Sequence, residues 1–434
     1  MINPLGRYYM NRRRIFKFIF SVSIIAVLAG CFSSNKVSVQ NLSNQYRNDQ
    51  HYLHPEYSLY HVNDSISLLY FKLDESELLY IRRNQADSFS AMVKIMCKVT
   101  ESYDADRLLD TTSILLNFTS ITNTKREYTV GSIPLKIKAG TTHLITADII
   151  DLTSKKAEIT YITADKTSPD CDQNFMLRNP ANGYVVFSRA VDSATTYAIM
   201  YNKPVTKFYV NYYNRNFPVA TPPFSIVEAK PFLYKPDSSF VLTPGTSGVA
   251  LINLKRVGFY HIQVDSGTHY GMTIYRFEKH YPNVGEAYQM MTPLRYITTN
   301  DEFDHITGAK NVKQAIDEFW ISTAGNTKER ARALIRNYYN RVQDANRYFT
   351  SYEEGWKTDR GMVYVVYGPP STIFRNSNTE TWTYGEDKNY MTISFTFVKT
   401  NNPFSDNDYA LQRQQQYRNL WYNAVDIWRE GRVY

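Results

Sequence analysis

Apolar and polar positions alternate through the first two-thirds of the chain, and helical stripes replace them in the last third. At residues 91–99, Val93, Ile95, Cys97 and Val99 share one face and Lys94 and Lys98 the other, the period of two of a half-buried strand. Strand-length runs recur at 66–73 and 144–150, and a turn at 151–155 leads into another at 157–163. Short strands at this spacing, joined by polar turns, predict a β-sandwich over residues 56–166. A linker at 167–174 leads to a second β block over 175–280, with runs at 183–187, 207–213, 248–254 and 258–264. A loop containing Pro218, Pro222 and Pro223 breaks that block. The first two-thirds therefore read as tandem immunoglobulin-like or fibronectin-like sandwiches.

Beyond residue 285 the period changes. Val312, Ala315, Ile316, Phe319 and Trp320 fall on one helical stripe, and Gly325 can end that helix. Asn326 with Glu329 forms a capping-box-like start for a second helix, in which Ala331, Leu334, Ile335, Tyr338, Val342, Ala345 and Phe349 line one face. Strands are predicted at 362–367, 380–384 and 391–398. A closing helix is predicted from near Ser405, with Asp408 in its first turn, to near Gly431. Residues 285–434 read as an α+β domain, helices packed on a small antiparallel sheet.

The sharpest motif lies in this domain: Gly355-Trp356-Lys357-Thr358-Asp359-Arg360-Gly361, an apolar run, then Gly368-Pro369-Pro370. Together with the helix carrying Phe319-Trp320 and the helix carrying Tyr338-Tyr339, it resembles the GWxTD-domain family of bacterial lipoproteins. All the motif positions match, and the resemblance implies a domain and a cell-envelope setting without an established reaction. Each residue has a structural task open to it. Gly355 would permit a sharp turn at positive φ, Trp356 would cover a helix–sheet seam, and Thr358 and Asp359 would accept turn N–H groups. Arg360 would pair with Asp359, Glu353 or Glu354, and Gly368-Pro369-Pro370 would end a strand. The competing reading makes Trp356, Thr358, Asp359 and Arg360 a partner-binding surface. Gly-Pro followed by Trp382 and Tyr384 is also similar to the small lipoproteins of the outer-membrane β-barrel assembly machinery, which differ in having a helix before the Gly-Pro.

The amino-terminal end carries a further signal. Arg7, Arg12, Arg13, Arg14 and Lys17 precede an apolar run at 18–28, too short for a membrane span but suited to a secretory leader. Met10 would serve equally as its start. Leu28-Ala29-Gly30-Cys31 resembles the lipobox of bacterial lipoproteins, which implies cleavage after residue 30 and acylation of Cys31. Residues 32–55, polar and poor in apolar side chains, read as a tether. No acidic run follows Cys31, unlike many surface-displayed lipoproteins of Bacteroidota-type bacteria, which favours an outer-membrane protein facing the periplasm.

Charge excludes little more. The chain has 49 Lys and Arg against 41 Asp and Glu, a net +8. Removing the leader takes away five cations and no acid, leaving 44 against 41 and a net +3, so no nucleic-acid footprint is read. With Cys31 acylated, Cys97 and Cys171 remain as a candidate disulfide or as buried thiols. His51, His54 and His61 have no metal-site spacing, and no cofactor or metal is expected. The 36 Tyr and 23 Phe fit a β-rich protein or a contact surface. No nucleophile–His pair accompanies Glu353, Glu354 and Asp359, because no histidine follows His305. The expectation is a non-enzymatic scaffold or interaction module in envelope assembly, secretion or transport, with an outer-membrane or periplasmic protein as partner. A surface glycan-binding accessory is the second reading, and a cryptic hydrolase with carboxylates near Asp359 the third.

Overall fold

A computed structural model describes residues 36–47, 51–82, 84, 88–125, 127–226, 232–385 and 392–432. Cys31 and the leader lie outside the described residues, as does Met391 at the start of one predicted strand.

The first sandwich is built from β1 (Glu56–His61), β2 (Ile66–Asp74), β3 (Phe89–Thr100), β4 (Leu108–Ser120), β5 (Tyr128–Lys136), β6 (Thr142–Asp151) and β7 (Ala157–Asp165). One sheet runs β1-β2-β5 and the other β4-β3-β6-β7, all antiparallel. The alternation in β3 is realised as read: Val93, Ile95, Cys97 and Val99 are buried, facing Leu69, Phe71 and Ile133 of the other sheet across a common core.

The second sandwich repeats that order. Its strands are β8 (Phe175–Arg178), β9 (Tyr197–Tyr201), β10 (Phe208–Tyr213), β11 (Ser238–Leu242), β12 (Ala250–Ile252), β13 (Gly258–Gln263) and β14 (Met272–Arg276). The sheets run β8-β9-β12 and β11-β10-β13-β14. In both modules the fourth strand pairs with the third. A constant-type immunoglobulin module would place it beside the fifth, so the tandem is of the fibronectin-like kind. The run at 183–187 is not a strand and contributes one isolated bridge, Val185 to Arg178.

Each sandwich buries a histidine. His61 contacts Ser67 Oγ at 2.8 Å and the Asp165 carbonyl at 2.9 Å, and His261 contacts Thr273 Oγ1 at 2.9 Å and the His269 carbonyl at 3.1 Å. Burial pushes both imidazoles down to about 4 from 6.5. Between those values the unfolded chain takes up protons that the folded chain refuses, so stability falls as pH drops through this window and is fully present above it. The expected result is a lower urea midpoint, followed by far-ultraviolet circular dichroism, at pH 5 than at pH 7. That difference should shrink in His261→Gln.

Among its described residues the carboxy-terminal domain holds six α-helices, α1 (Ala287–Met291), α2 (Asn300–Gly308), α3 (Val312–Thr323), α4 (Lys328–Phe349), α5 (Asp359–Tyr367) and α6 (Tyr417–Arg429). Its sheet is β15 (Thr372–Arg375), β16 (Thr379–Tyr384), β17 (Ile393–Lys399) and β18 (Tyr409–Leu411), in that order and antiparallel. The stripes of α3 and α4 point inward as read: Ala315, Ile316 and Trp320 pack with Leu334, Tyr338, Val342 and Phe349.

Three expectations need correction. Residues 362–367 are helical, within α5. Thr358 caps that helix by accepting the Gly361 N–H at 3.0 Å, and Gly368 leaves it at φ +82°. The run lacks a polar face because Met362 to Val366 are buried on all sides. Secondly, Asn326 is not a cap: it sits at φ +61°, and Thr327 occupies the N-cap of α4. Thirdly, the closing helix starts at Tyr417, and 409–411, read as its first turns, add strand β18 to the sheet edge.

The predicted tether is also different over its described residues. Residues 36–47 form a strap across the carboxy-terminal domain. Leu42 donates its N–H to the Ile373 carbonyl at 2.9 Å, and Asn41 Oδ1 accepts the Ile373 N–H at 3.0 Å. Val37, Leu42 and Tyr46 are buried in that domain's core. The proline loop of the second sandwich docks there too: Ala220 N–H meets the Lys357 carbonyl at 3.0 Å, and Gln414 N–H the Pro223 carbonyl at 3.0 Å. Phe404 closes the junction by packing on Tyr213, Phe259 and Tyr275 of the second sandwich.

Candidate functional site

The GWxTD residues form the joint between the end of α4 and the start of α5. Tight backbone approach dictates the glycines. A Cβ on Gly355 would overlap the Ala345 carbonyl oxygen in α4, and one on Gly361 would overlap the Gly355 carbonyl oxygen. Neither glycine has positive φ, so the turn expected at Gly355 is replaced by a close-packed seam of three backbone segments. Ala at Gly361 is expected to cost about 1–3 kcal/mol or more, since backbone has to move. A fall in the urea midpoint of the tryptophan signal would show it, and an unchanged midpoint would contradict it.

Trp356 and Thr358 complete the joint. Trp356 is 7% exposed; its N–H donates to Asn346 Oδ1 at 3.2 Å, its carbonyl accepts Tyr296 Oη at 2.9 Å, and its ring meets Tyr296 edge-on. The Thr358 hydroxyl donates to the Gly355 carbonyl at 2.8 Å while it caps α5. Both side chains are therefore interior, and a partner surface made of Trp356, Thr358 and Arg360 is not what the fold presents. Gly368-Pro369-Pro370 ends α5 rather than a strand: the Gly368 carbonyl accepts Tyr384 Oη at 2.9 Å, and the Pro370 carbonyl accepts Arg47 at 3.2 Å.

The two charged motif residues find distant partners. Asp359 is held by Arg413, Oδ1 at 2.5 Å and Oδ2 at 2.9 Å, and Oδ2 also accepts the Leu411 N–H at 2.7 Å. A carboxylate held this way ties α5 to the sheet edge. Arg360, 2% exposed, pairs with Glu380 at 3.2 Å instead of with Asp359, Glu353 or Glu354. It also donates to Asn407 and lies over the Tyr409 ring at 4.1 Å. Glu380 is fully buried and accepts in addition from Arg375 at 2.9 Å and from the Trp382 indole at 2.7 Å. Burial alone would raise its carboxyl, but Arg375 and Arg360 outweigh that and hold it below the ordinary range. Nothing in the local sequence announces this triad, because its members lie on α5, β15 and β16.

Glu353 behaves differently. Burial, with Asp408 and Glu354 adding like charge, pushes its carboxyl well above the usual range, and burial lifts Asp408 to about 6 against the pull of Arg360. Asp408 accepts Asn402 Nδ2 at 2.8 Å. These acids face one another at the joint with the second sandwich. Among the described residues no group of His, Cys, Asp and Glu is placed to hold a metal.

The remaining candidates are dispersed. Of the two alternatives for Cys97 and Cys171, the structure has the buried free thiols and not the disulfide; burial pushes each up to about 12. Cys97 is committed to the first sandwich core, while Cys171 donates to the Asp165 carbonyl at 3.0 Å in the inter-domain corner. His51 pairs with Glu158 at 2.6 Å and His54 with Glu77 at 2.7 Å, and His61 is buried, so the three histidines do not converge. Among the described residues the exposed tyrosines, Tyr52, Tyr128, Tyr184, Tyr234, Tyr270, Tyr288 and Tyr422, sit on separate segments rather than on one face of a strand. A cleft of about 410 Å³ opens where the strap, β7 and the last domain meet, lined by Tyr46, His51, Glu158, Tyr161, Tyr348 and Arg375. Among the described residues no helix is long and apolar enough to cross a membrane.

No curated protein matches the chain in sequence. The GWxTD-domain family model matches from residue 258 to residue 430. The match begins inside the second sandwich, at β13, and not at the predicted boundary of 285. This agrees with the aromatic junction, in which Phe259 and Tyr275 pack on Phe404. The joint around Gly355 to Asp359 is thus the structural centre of a GWxTD domain, which this chain carries over residues 258–430.

Proposed function

We propose that the mature protein is anchored by acyl chains on Cys31 in the outer membrane, facing the periplasm, and acts as a non-enzymatic scaffold in envelope assembly, secretion or transport. The observation that carries this reading is the lipobox-like Leu28-Ala29-Gly30-Cys31 behind a basic and apolar leader. Several acyl chains hold a protein at a bilayer where one would not, and anchoring raises its effective concentration near membrane partners. The reading is supported by the state of the GWxTD residues. Asp359 is engaged on both oxygens and Arg360 is interior, so their chemistry is spent on holding the domain together.

The test is metabolic labelling with a palmitate analogue, followed by membrane flotation. The intact protein is expected to incorporate label and float with outer-membrane vesicles, and Cys31→Ser to do neither. Crosslinking in intact cells should then trap the anchored protein on an envelope protein. Unlabelled, soluble wild-type protein would refute the anchoring, and turnover of a substrate by the purified protein would refute the scaffold.

A further inference from the structure

We infer that the GWxTD domain lies against the bilayer, with the strap and the β15 edge turned toward the lipid headgroups. This rests on the anchoring at Cys31 proposed above. A chain read as tether, sandwich, sandwich and last domain would carry that domain far from the membrane; the strap reverses the order in space.

The argument is one of reach. Six residue steps separate Cys31 from Val37, and even a fully extended chain covers only about 22 Å in that length. Val37 is already buried at 8% exposure, packed into the core of the carboxy-terminal domain. From there the strap is held without a break: Ser38 N–H to the Tyr103 carbonyl of the first sandwich at 3.0 Å, Leu42 N–H to the Ile373 carbonyl at 2.9 Å, and Tyr364 Oη to the Tyr46 carbonyl at 2.8 Å. An acyl group at residue 31 therefore brings the strap, β15 and the Tyr103 corner to the membrane together. Two apolar side chains are left in water at this place, Val39 on the strap at 58% exposure and Phe374 on β15 at 44%. Singly exposed apolar residues are ordinary, but these flank the point where the acylated segment enters the fold, where interfacial contact would cover them.

The experiment uses the full acylated protein in phosphatidylethanolamine–phosphatidylglycerol vesicles that contain a lipid with a spin-labelled headgroup. A fluorophore is attached to one new cysteine at a time. Cys97 and Cys171 are buried, so labelling goes to the introduced thiol. The variants are Val39→Cys, Phe374→Cys and, on β12 of the second sandwich, Leu251→Cys, which replaces a residue 58% exposed. Quenching at 39 and 374 is expected to be several-fold stronger than at 251. Using two positions near the strap keeps the test decisive should one variant misfold. Equal quenching at all three sites, or stronger quenching at 251, in protein that carries acyl chains and floats overturns this inference alone. Protein that carries no acyl chains and does not float overturns the anchoring as well.

Discussion

Glu380→Ala is expected to destabilise the carboxy-terminal domain by about 3–5 kcal/mol, the usual consequence of removing one partner from a buried ion pair. Glu380 is 0% exposed and stands between Arg360 and Arg375, with Trp382 as a third donor. Alanine would strand two guanidinium groups in an interior built from Phe349, Tyr409 and Trp382, with no other carboxylate among the described residues bonded to either of them. Glu380→Gln preserves the shape and an acceptor for the indole but not the charge, and should fall between wild type and Ala. Urea unfolding followed by tryptophan fluorescence reads this domain selectively, since all five tryptophans, Trp320, Trp356, Trp382, Trp421 and Trp428, belong to it. A loss below about 1 kcal/mol would mean that the triad is solvated and not the electrostatic centre described above.

Tyr46→Ala, more than 200 residues before the first residue of the GWxTD domain, is expected to cost that same domain about 3–5 kcal/mol, the range for truncating a large buried aromatic. Its ring lies 4.9 Å from Phe349 and 5.5 Å from Trp382, and its hydroxyl accepts a hydrogen bond from Arg375. The tryptophan-detected midpoint should drop while the circular-dichroism signal of the sandwiches unfolds as in wild type. A tryptophan transition that ignores the substitution would show that the strap is a surface passenger. Because Tyr46 and Glu380 both bond Arg375, the two substitutions should not add when combined.

How far the fold was readable depends on whether a segment's partners lie nearby in sequence. Strand β3 was legible because Lys94 and Lys98 mark its outer face, and α4 because its inner stripe from Ala331 to Phe349 runs against charged neighbours. The run at 362–367 lacked that contrast. It is short, apolar and rich in valine and tyrosine, so periodicity could not separate a buried helix from a buried strand. Thr358 as N-cap with Asp359 in the first turn, and Gly368 beyond the run, was the start-and-stop signal that would have decided it. The site was legible as a motif and not as a geometry. Arg360 looks like a surface cation until β16 supplies Glu380, and Asp359 looks like a free carboxylate until Arg413 arrives from beyond β18. Residues 36–47 looked like a linker because three buried apolar side chains among polar ones give no period; only the receiving surface reveals them.

The contact between Asn41 and Ile373 spans 332 positions, and this has a temporal consequence. During synthesis the strap emerges first, yet the groove that receives Tyr46 is assembled from α4, α5 and β16, which emerge much later. Until then Val37, Leu42 and Tyr46 have no place to dock. Both sandwiches have all their strands by residue 276 and can form while the strap waits; the final domain closes over it only when synthesis is nearly done. A chain truncated late in its length would thus leave both of its ends unsatisfied, an incomplete product that proteases can recognise.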